Sequence, residues 1–256
     1  MTQIVEYTDN VRLDDRPQRH RIGLIVLATD HTTEPDFHRI LSPQGIGIYS
    51  TRIPFANPVT PETLAAMAGD ITGAAQLILP NEDLEAIVYS CTSASVVIGD
   101  DLVRDAMTKG KPGAIPITPI SAGFAGLRAI GARRITLLTP YTAETTAPMA
   151  DCFEAAGFTL QNVTCLGLTD DRDMARLSPA SIIQAAGAAI APDSDAIFIS
   201  CTALRAAGVI DQIEAAIGVP AVSSNYATAW AALRTCGINT AAAPGRLMQL
   251  PMQAAA

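Results

Sequence analysis

Short aliphatic runs alternate with longer amphipathic segments through almost the whole 256-residue chain, and this alternation restricts the fold more than any other feature. The runs fall near 22–27 (IGLIVL), 45–52 (GIGIYSTR), 86–90, 115–118, 134–138, 159–168, 195–200 and 219–223. Most are apolar at successive positions rather than alternate ones, as strands covered on both faces are. Between them, 60–80, 94–109, 121–131, 142–156, 178–190, 207–217 and 225–236 repeat apolar residues with the helical period. The pattern predicts parallel βαβ units in an α/β fold. A composition that is 49% hydrophobic but only 5% aromatic agrees, since helices packed on parallel strands use aliphatic side chains.

The alternation is also a repeat. Arg21-Ile-Gly-Leu-Ile-Val and Arg134-Ile-Thr-Leu-Leu-Thr each open a half, and each half later carries an apolar run that ends in Ser-Cys-Thr: IVYSCTSAS around Cys91 and IFISCTALR around Cys201. The two cysteines follow their openings at nearly equal distances. We therefore expect two pseudo-symmetric lobes, each a parallel sheet flanked by helices. The polar residues 1–20 form an arm, 21–118 the first lobe, 119–237 the second, and 238–256 a tail, with the last helix free to cross back to the first lobe. Ligands of open parallel sheets bind beyond the carboxyl ends of the strands. Two lobes facing each other would thus bring both cysteines to one cleft.

A thiol between a strand and a helix sits among unpaired N–H groups at the positive end of the helix dipole, which favours thiolate and predicts a lowered pKa. Thr92 and Thr202 can cap the following helix or donate to a bound oxyanion, and Ser90 and Ser200 add short donors. Ser93 and Ala203, next along each turn, complete the pocket. Two thiols flanking a small carbon acid can invert a stereocentre by paired proton transfer. Alternatively, one thiolate adds to an activated double bond, which rotates as a single bond before elimination. Neither scheme requires a cofactor or metal. Cys152, Cys165 and Cys236 read as ordinary structural thiols.

At these residues the sequence resembles the aspartate/glutamate racemase superfamily, most closely its maleate isomerase and arylmalonate decarboxylase branch. The resemblance rests on GLIVLATDHTTEPDF, VYSCTSASVVIG, LLTPYTAETT, ARLSP, FISCTALR and PAVSSNYATAWAALR. It implies a two-lobed fold, commonly a homodimer, with Cys91 and Cys201 catalytic and Tyr141 set against a substrate carboxylate. Asn225 falls where relatives have a polar residue opening the last helix. Because both cysteines are present, isomerases and racemases are a closer match than the decarboxylases, which keep only the second. A decarboxylase or lyase on the same scaffold and a non-catalytic binding protein are the alternatives. Asp30, in Leu27-Ala-Thr-Asp30-His31, stands where maleate isomerases place an Asn on a carboxylate. A carboxylate there would repel a second one and favour an ammonium or amidinium group. LATD with TSAS also resembles ectoine-utilisation proteins of this branch.

The net charge of −8 disfavours nucleic acid and anionic membranes as partners. No apolar stretch has the length of a membrane span, and the N-terminus has no signal-peptide core, so a cytoplasmic location is expected. Five cysteines without a CxxC pair suggest neither a disulfide framework nor a zinc ribbon, and His20, His31 and His38 form no metal-binding pattern. Asp170, Asp171 and Asp173 read as a solvated turn, and Trp230 as core. No P-loop, GxGxxG or GxSxG occurs, which leaves nucleotide binding and serine hydrolysis without support.

Overall fold

The computed structural model describes residues 2–8, 11–239 and 243–251. Residues 240–242 and 252–256 of the tail, and 1, 9 and 10 of the arm, lie outside the described residues. Two four-stranded sheets are present, each wholly parallel. The first joins β1 (His20–Leu27), β2 (Ile46–Ile53), β3 (Ala86–Tyr89) and β4 (Ile115–Ile117) in the order β2-β1-β3-β4. The second joins β5 (Arg134–Thr139), β6 (Thr159–Cys165), β7 (Ala196–Ile199) and β8 (Ala221–Ser223) in the order β6-β5-β7-β8. The two orders are the same, as the repeat of the halves requires. The central strands β3 and β7 are buried along their full length, which explains their unbroken aliphatic sequences.

Parallel neighbours need a crossover, and helices supply it. The first lobe contains α1 (Thr33–Leu41), α2 (Pro61–Ala65), α3 (Ile71–Leu77), α4 (Thr92–Ile98) and α5 (Asp100–Gly110). After β4 come α6 (Pro119–Ala129), α7 (Ala143–Ala155), α8 (Asp171–Arg176), α9 (Pro179–Ala189), α10 (Ile210–Ile217) and α11 (Ser224–Thr235). Segment 60–80 is broken by a 3-10 turn at Ala66–Asp70, and 94–109 by Gly99, whose φ of +100° no helix continues through. Helices α1 and α8 lie outside the segments where the sequence pattern predicted helix.

The last helix of each half packs beyond its own sheet. Gly123 of α6 lies so close to Phe198 of β7 that a Cβ there would be 2.6 Å from the ring, which seats α6 on the second sheet. In turn, α11 packs on α1, β3 and β4 as well as on α6 and β8. It is buried almost throughout, with Trp230 and Tyr226 fully enclosed. The chain after it stays attached: Trp230 Nε1 and Arg234 Nε each donate to the Leu250 carbonyl at 2.9 Å.

Candidate active site

In each sheet the strand order reverses beside the first strand of the half, at β1/β3 and at β5/β7. Such switch points are where the carboxyl ends of parallel strands diverge and open a crevice. Leu27 ends β1, Cys91 follows β3, Tyr141 follows β5 and Cys201 follows β7. The two crevices face each other, and all four residues line one enclosed cavity. Phe55, Val59, Leu64, Ser93, Asp171 and Thr202 complete its wall. At about 10 Å³ it has room for roughly one water.

Cys91 is the N-cap of α4 with an ordinary extended φ of −149°. Its Sγ is 3.8 Å from Ser93 Oγ. Cys201 is presented differently: its φ is +94°, a conformation that side chains other than glycine rarely adopt. No α-helix follows it directly, since a turn and a 3-10 segment at Ala207–Val209 intervene before α10. The expectation of a helix end under each cysteine therefore holds for Cys91 only. The expected fall in thiol pKa is reversed at both. Burial pushes Cys91 up to about 12, outweighing the Ala94 N–H and Ser93 that favour the thiolate, with Asp171 and Asp30 adding to the rise. Cys201 is also raised, again chiefly by burial and next by Asp171. In the closed cavity both groups are neutral thiols, because the walls remove the water that a thiolate needs.

Of the other residues singled out from the sequence, Ser93, Tyr141 and Thr202 line the cavity with the thiols. Ser200 Oγ donates to Tyr141 OH at 3.5 Å, while Ser90 Oγ is buried without a hydrogen-bond partner. Thr202 Oγ1 donates across the lobes to the Ser90 carbonyl at 3.0 Å. Thr92 does not line the cavity; its hydroxyl donates to Ser224 Oγ at 2.7 Å and ties α4 to the start of α11. Asn225 and Ala203 also stand behind the wall. Asn225 Nδ2 donates to the Thr202 carbonyl at 2.8 Å and to Asp36 Oδ2 at 2.9 Å, which fixes the Cys201 turn to α1. The Ala203 carbonyl accepts from Thr32 Oγ1 at 2.8 Å. Asp30 is likewise absent from the lining: its carboxylate accepts from Thr32 N, Thr33 N and Thr33 Oγ1 at 2.6–2.8 Å, so it organises the start of α1.

Asp171 is the residue that sequence reasoning misplaced. It is not solvated but only 6% exposed. Thr29 Oγ1 donates to its Oδ2 at 2.7 Å, and its own N–H donates to Asn57 Oδ1 at 2.9 Å. Burial raises its pKa to about 6, with Asp30 and Asp170 adding to the rise and the Thr29 hydroxyl opposing it. Both partners belong to the other lobe, so nothing in the local run DDRD signals the burial. On the outer side of α8 lies a larger, open depression lined by His31, Arg172 and Arg176; its Arg172 is paired with Asp170 and its Arg176 with Asp173. The enclosed cavity, by contrast, holds Cys91 and Cys201, both free of disulfides. Among the described residues no group of three or more His, Cys, Asp or Glu could hold a metal ion. No helix among them is long and apolar enough to cross a membrane.

Two similar parallel α/β lobes that each present one strand-end thiol to a common cavity define the class to which racemases and isomerases of the Asp/Glu racemase type belong. Within that class, the chain belongs to the arylmalonate decarboxylase family, whose model matches residues 22–248. A maleate isomerase of Nocardia farcinica is 28% identical over 90% of this chain and 95% of its own length. An arylmalonate decarboxylase of Bordetella bronchiseptica is 36% identical, but over 51% of this chain and 56% of its own. Among solved structures, a mutant Nocardia farcinica maleate cis-trans isomerase with a covalently bound succinylcysteine intermediate superposes with a TM-score of 0.82. It is 26% identical, and the match covers 90% of this chain and 98% of that one.

Proposed function

We propose that the protein is a cofactor-independent isomerase of a small unsaturated carboxylate, working through Cys91 and Cys201. The single observation that carries this reading is that thiols from opposite lobes line one cavity with hydroxyl donors beside them. The substrate carboxylate is held by the Ser93 and Tyr141 hydroxyls, with Thr202, whose own hydroxyl proton is committed to the Ser90 carbonyl, lining the pocket beside them. As Cys91 sulfur bonds to one alkene carbon, Cys201 gives its proton to the adjacent carbon, and the Cys91 proton passes to Cys201 sulfur. The carbon–carbon bond, now single, rotates. Reversal of the two transfers breaks the carbon–sulfur bond, restores both thiols and releases the trans alkene. Neutral thiols suit this scheme, because the pair gains and loses no net proton over the cycle. Since the closed cavity holds about one water, substrate entry requires the lobes to part at the contacts of 57–59 with 169–171, such as Val59 N donating to the Thr169 carbonyl at 2.8 Å.

Incubation of Cys201→Ser with cis-alkene carboxylates tests the reading. Without the Cys201 thiol the carbon next to the new carbon–sulfur bond takes its proton from water, and with no sulfur base at position 201 to remove it again the adduct is expected to accumulate as a mass gain mapped to Cys91. A gain mapped only to Cys152, Cys165 or Cys236, or no gain, would reject it. Proton exchange at carbon without an adduct would point to racemisation. Release of CO₂ with Cys91 dispensable would point to decarboxylation, the reading favoured by the partial match to the Bordetella enzyme. We extend the proposal to a cytoplasmic homodimer with lobes at 21–118 and 119–237, acting in ectoine or hydroxyectoine breakdown; the resemblance of LATD and TSAS supports the last point.

A further inference from the structure

The chemistry proposed above uses the thiols, Tyr141 and the small hydroxyls, and leaves Asp171 unused. The polar lining is lopsided. Ser93, Thr202 and Tyr141 accompany the thiols, no Arg or Lys among the described residues lines the cavity, and apart from Asp171 the rest of the wall is apolar: Leu27, Phe55, Val59 and Leu64. Asp171 Oδ2 is held by Thr29, but no protein donor reaches Oδ1 among the described residues. A carboxylate kept only to tie elements together would use both oxygens, as Asp30 does at the start of α1. Asp171 instead lines the enclosure with one carboxylate oxygen left without a hydrogen bond among the described residues, while Thr29 and Asn57 fix its position from the opposite lobe.

Resting on the two-thiol reading, we propose that Asp171 selects the substrate: it receives a protonated nitrogen, ammonium or amidinium, on a molecule whose one carboxylate lies among the hydroxyl donors, and it rejects a second carboxylate. A dicarboxylate would set like charges against each other in a space that excludes water, where they are poorly screened. A cation removes that conflict and completes the hydrogen bonding of Oδ1. Although burial raises the Asp171 carboxyl to about 6, it remains mostly ionised near neutral pH and is available to a cation. The substrate of this chain is thereby a small unsaturated carboxylate that carries one cationic nitrogen, unlike the maleate of the isomerases it resembles.

A matched pair of probes on one cis-alkene skeleton tests this: maleate, and cis-4-aminocrotonate, in which an ammonium replaces one carboxylate. Dissociation constants come from calorimetry and turnover from proton NMR. The wild-type protein is expected to bind the amino compound at least about tenfold more tightly than maleate, and Asp171→Asn to cut that ratio by about tenfold or more. Wild-type protein that binds maleate as tightly as the amino compound, or binds neither, overturns the proposal with no variant needed. An unchanged ratio in Asp171→Asn overturns it as well. Cys91→Ser separates the two readings: it should keep the binding ratio and lose turnover. Retained turnover in Cys91→Ser would count against the thiol mechanism alone.

Discussion

The two Ser-Cys-Thr triplets are alike in sequence but not in backbone, and this difference predicts opposite responses to the same pair of mutations. Cys201 has φ +94°, where a residue with a Cβ carries about 1–3 kcal/mol of strain. Cys91 has φ −149°, where it carries none. Glycine escapes the strain but loses about 0.5–1 kcal/mol more conformational freedom than alanine on folding. At position 201 the strain outweighs this loss, so Cys201→Gly is expected to be more stable than Cys201→Ala by about 1 kcal/mol. At position 91 only the entropy remains, and Cys91→Gly is expected to be less stable than Cys91→Ala by about 0.5–1 kcal/mol. Within each pair the sulfur is lost equally, so its packing cancels. Urea unfolding of the four variants gives the two differences, provided the slopes agree within each pair. Glycine less stable than alanine at both positions would refute the assigned Cys201 backbone.

Three further outcomes follow from the site. Asp171 has a folded-state pKa near 6 against an ordinary 3.8, so its ionised form costs stability above pH 6, by roughly 3 kcal/mol at most, and the cost is relieved as pH falls toward 4. Asp171→Asn should therefore exceed wild-type thermal stability near neutral pH, with the gap closing at about pH 4. Iodoacetamide at about pH 8 should label the exposed Cys165 first and Cys91 and Cys201 last, as peptide mass spectrometry would show. Asn225→Ala strips a donor from the buried Asp36 carboxylate and the Thr202 carbonyl, at a cost of about 2–4 kcal/mol, and calorimetry should find a melting temperature lower by roughly 5–15 °C.

All eight strands were legible: the fully buried β3 and β7 are written as uninterrupted apolar runs, the partly exposed β2 and β6 as mixed ones, and the repeat of the halves showed through the matched triplets. Helix α1 was not, since its opening Thr-Glu-Pro-Asp is polar and its apolar face is confined to Phe37, Ile40 and Leu41 within a nine-residue element. Helix α8 was hidden in the same way by DDRDMAR. Local sequence suggested which residues stand at strand ends, but not which turn inward. Cys91 and Cys201 read correctly as neighbours of one cavity, whereas Asp30 and Asp171 exchanged the places expected of them. Both are polar loop residues: the bonds by which Asp30 organises α1 are local, to Thr32 and Thr33, whereas only packing between the lobes buries Asp171 against Thr29 and Asn57. The thiol pKa shifts were misread for a related reason: a helix end is local and visible, while the loss of water that outweighs it is a property of the closed assembly.

The central claim is that both thiols serve the same ligand, and replacing one sulfur by oxygen at each position tests it most directly. Turnover of cis-4-aminocrotonate and maleate by wild type, Cys91→Ser and Cys201→Ser, followed by proton NMR alongside circular dichroism, is the measurement. The account predicts that each variant keeps the wild-type fold and loses isomerisation by about a thousandfold or more. Either variant turning over at close to the wild-type rate would contradict it.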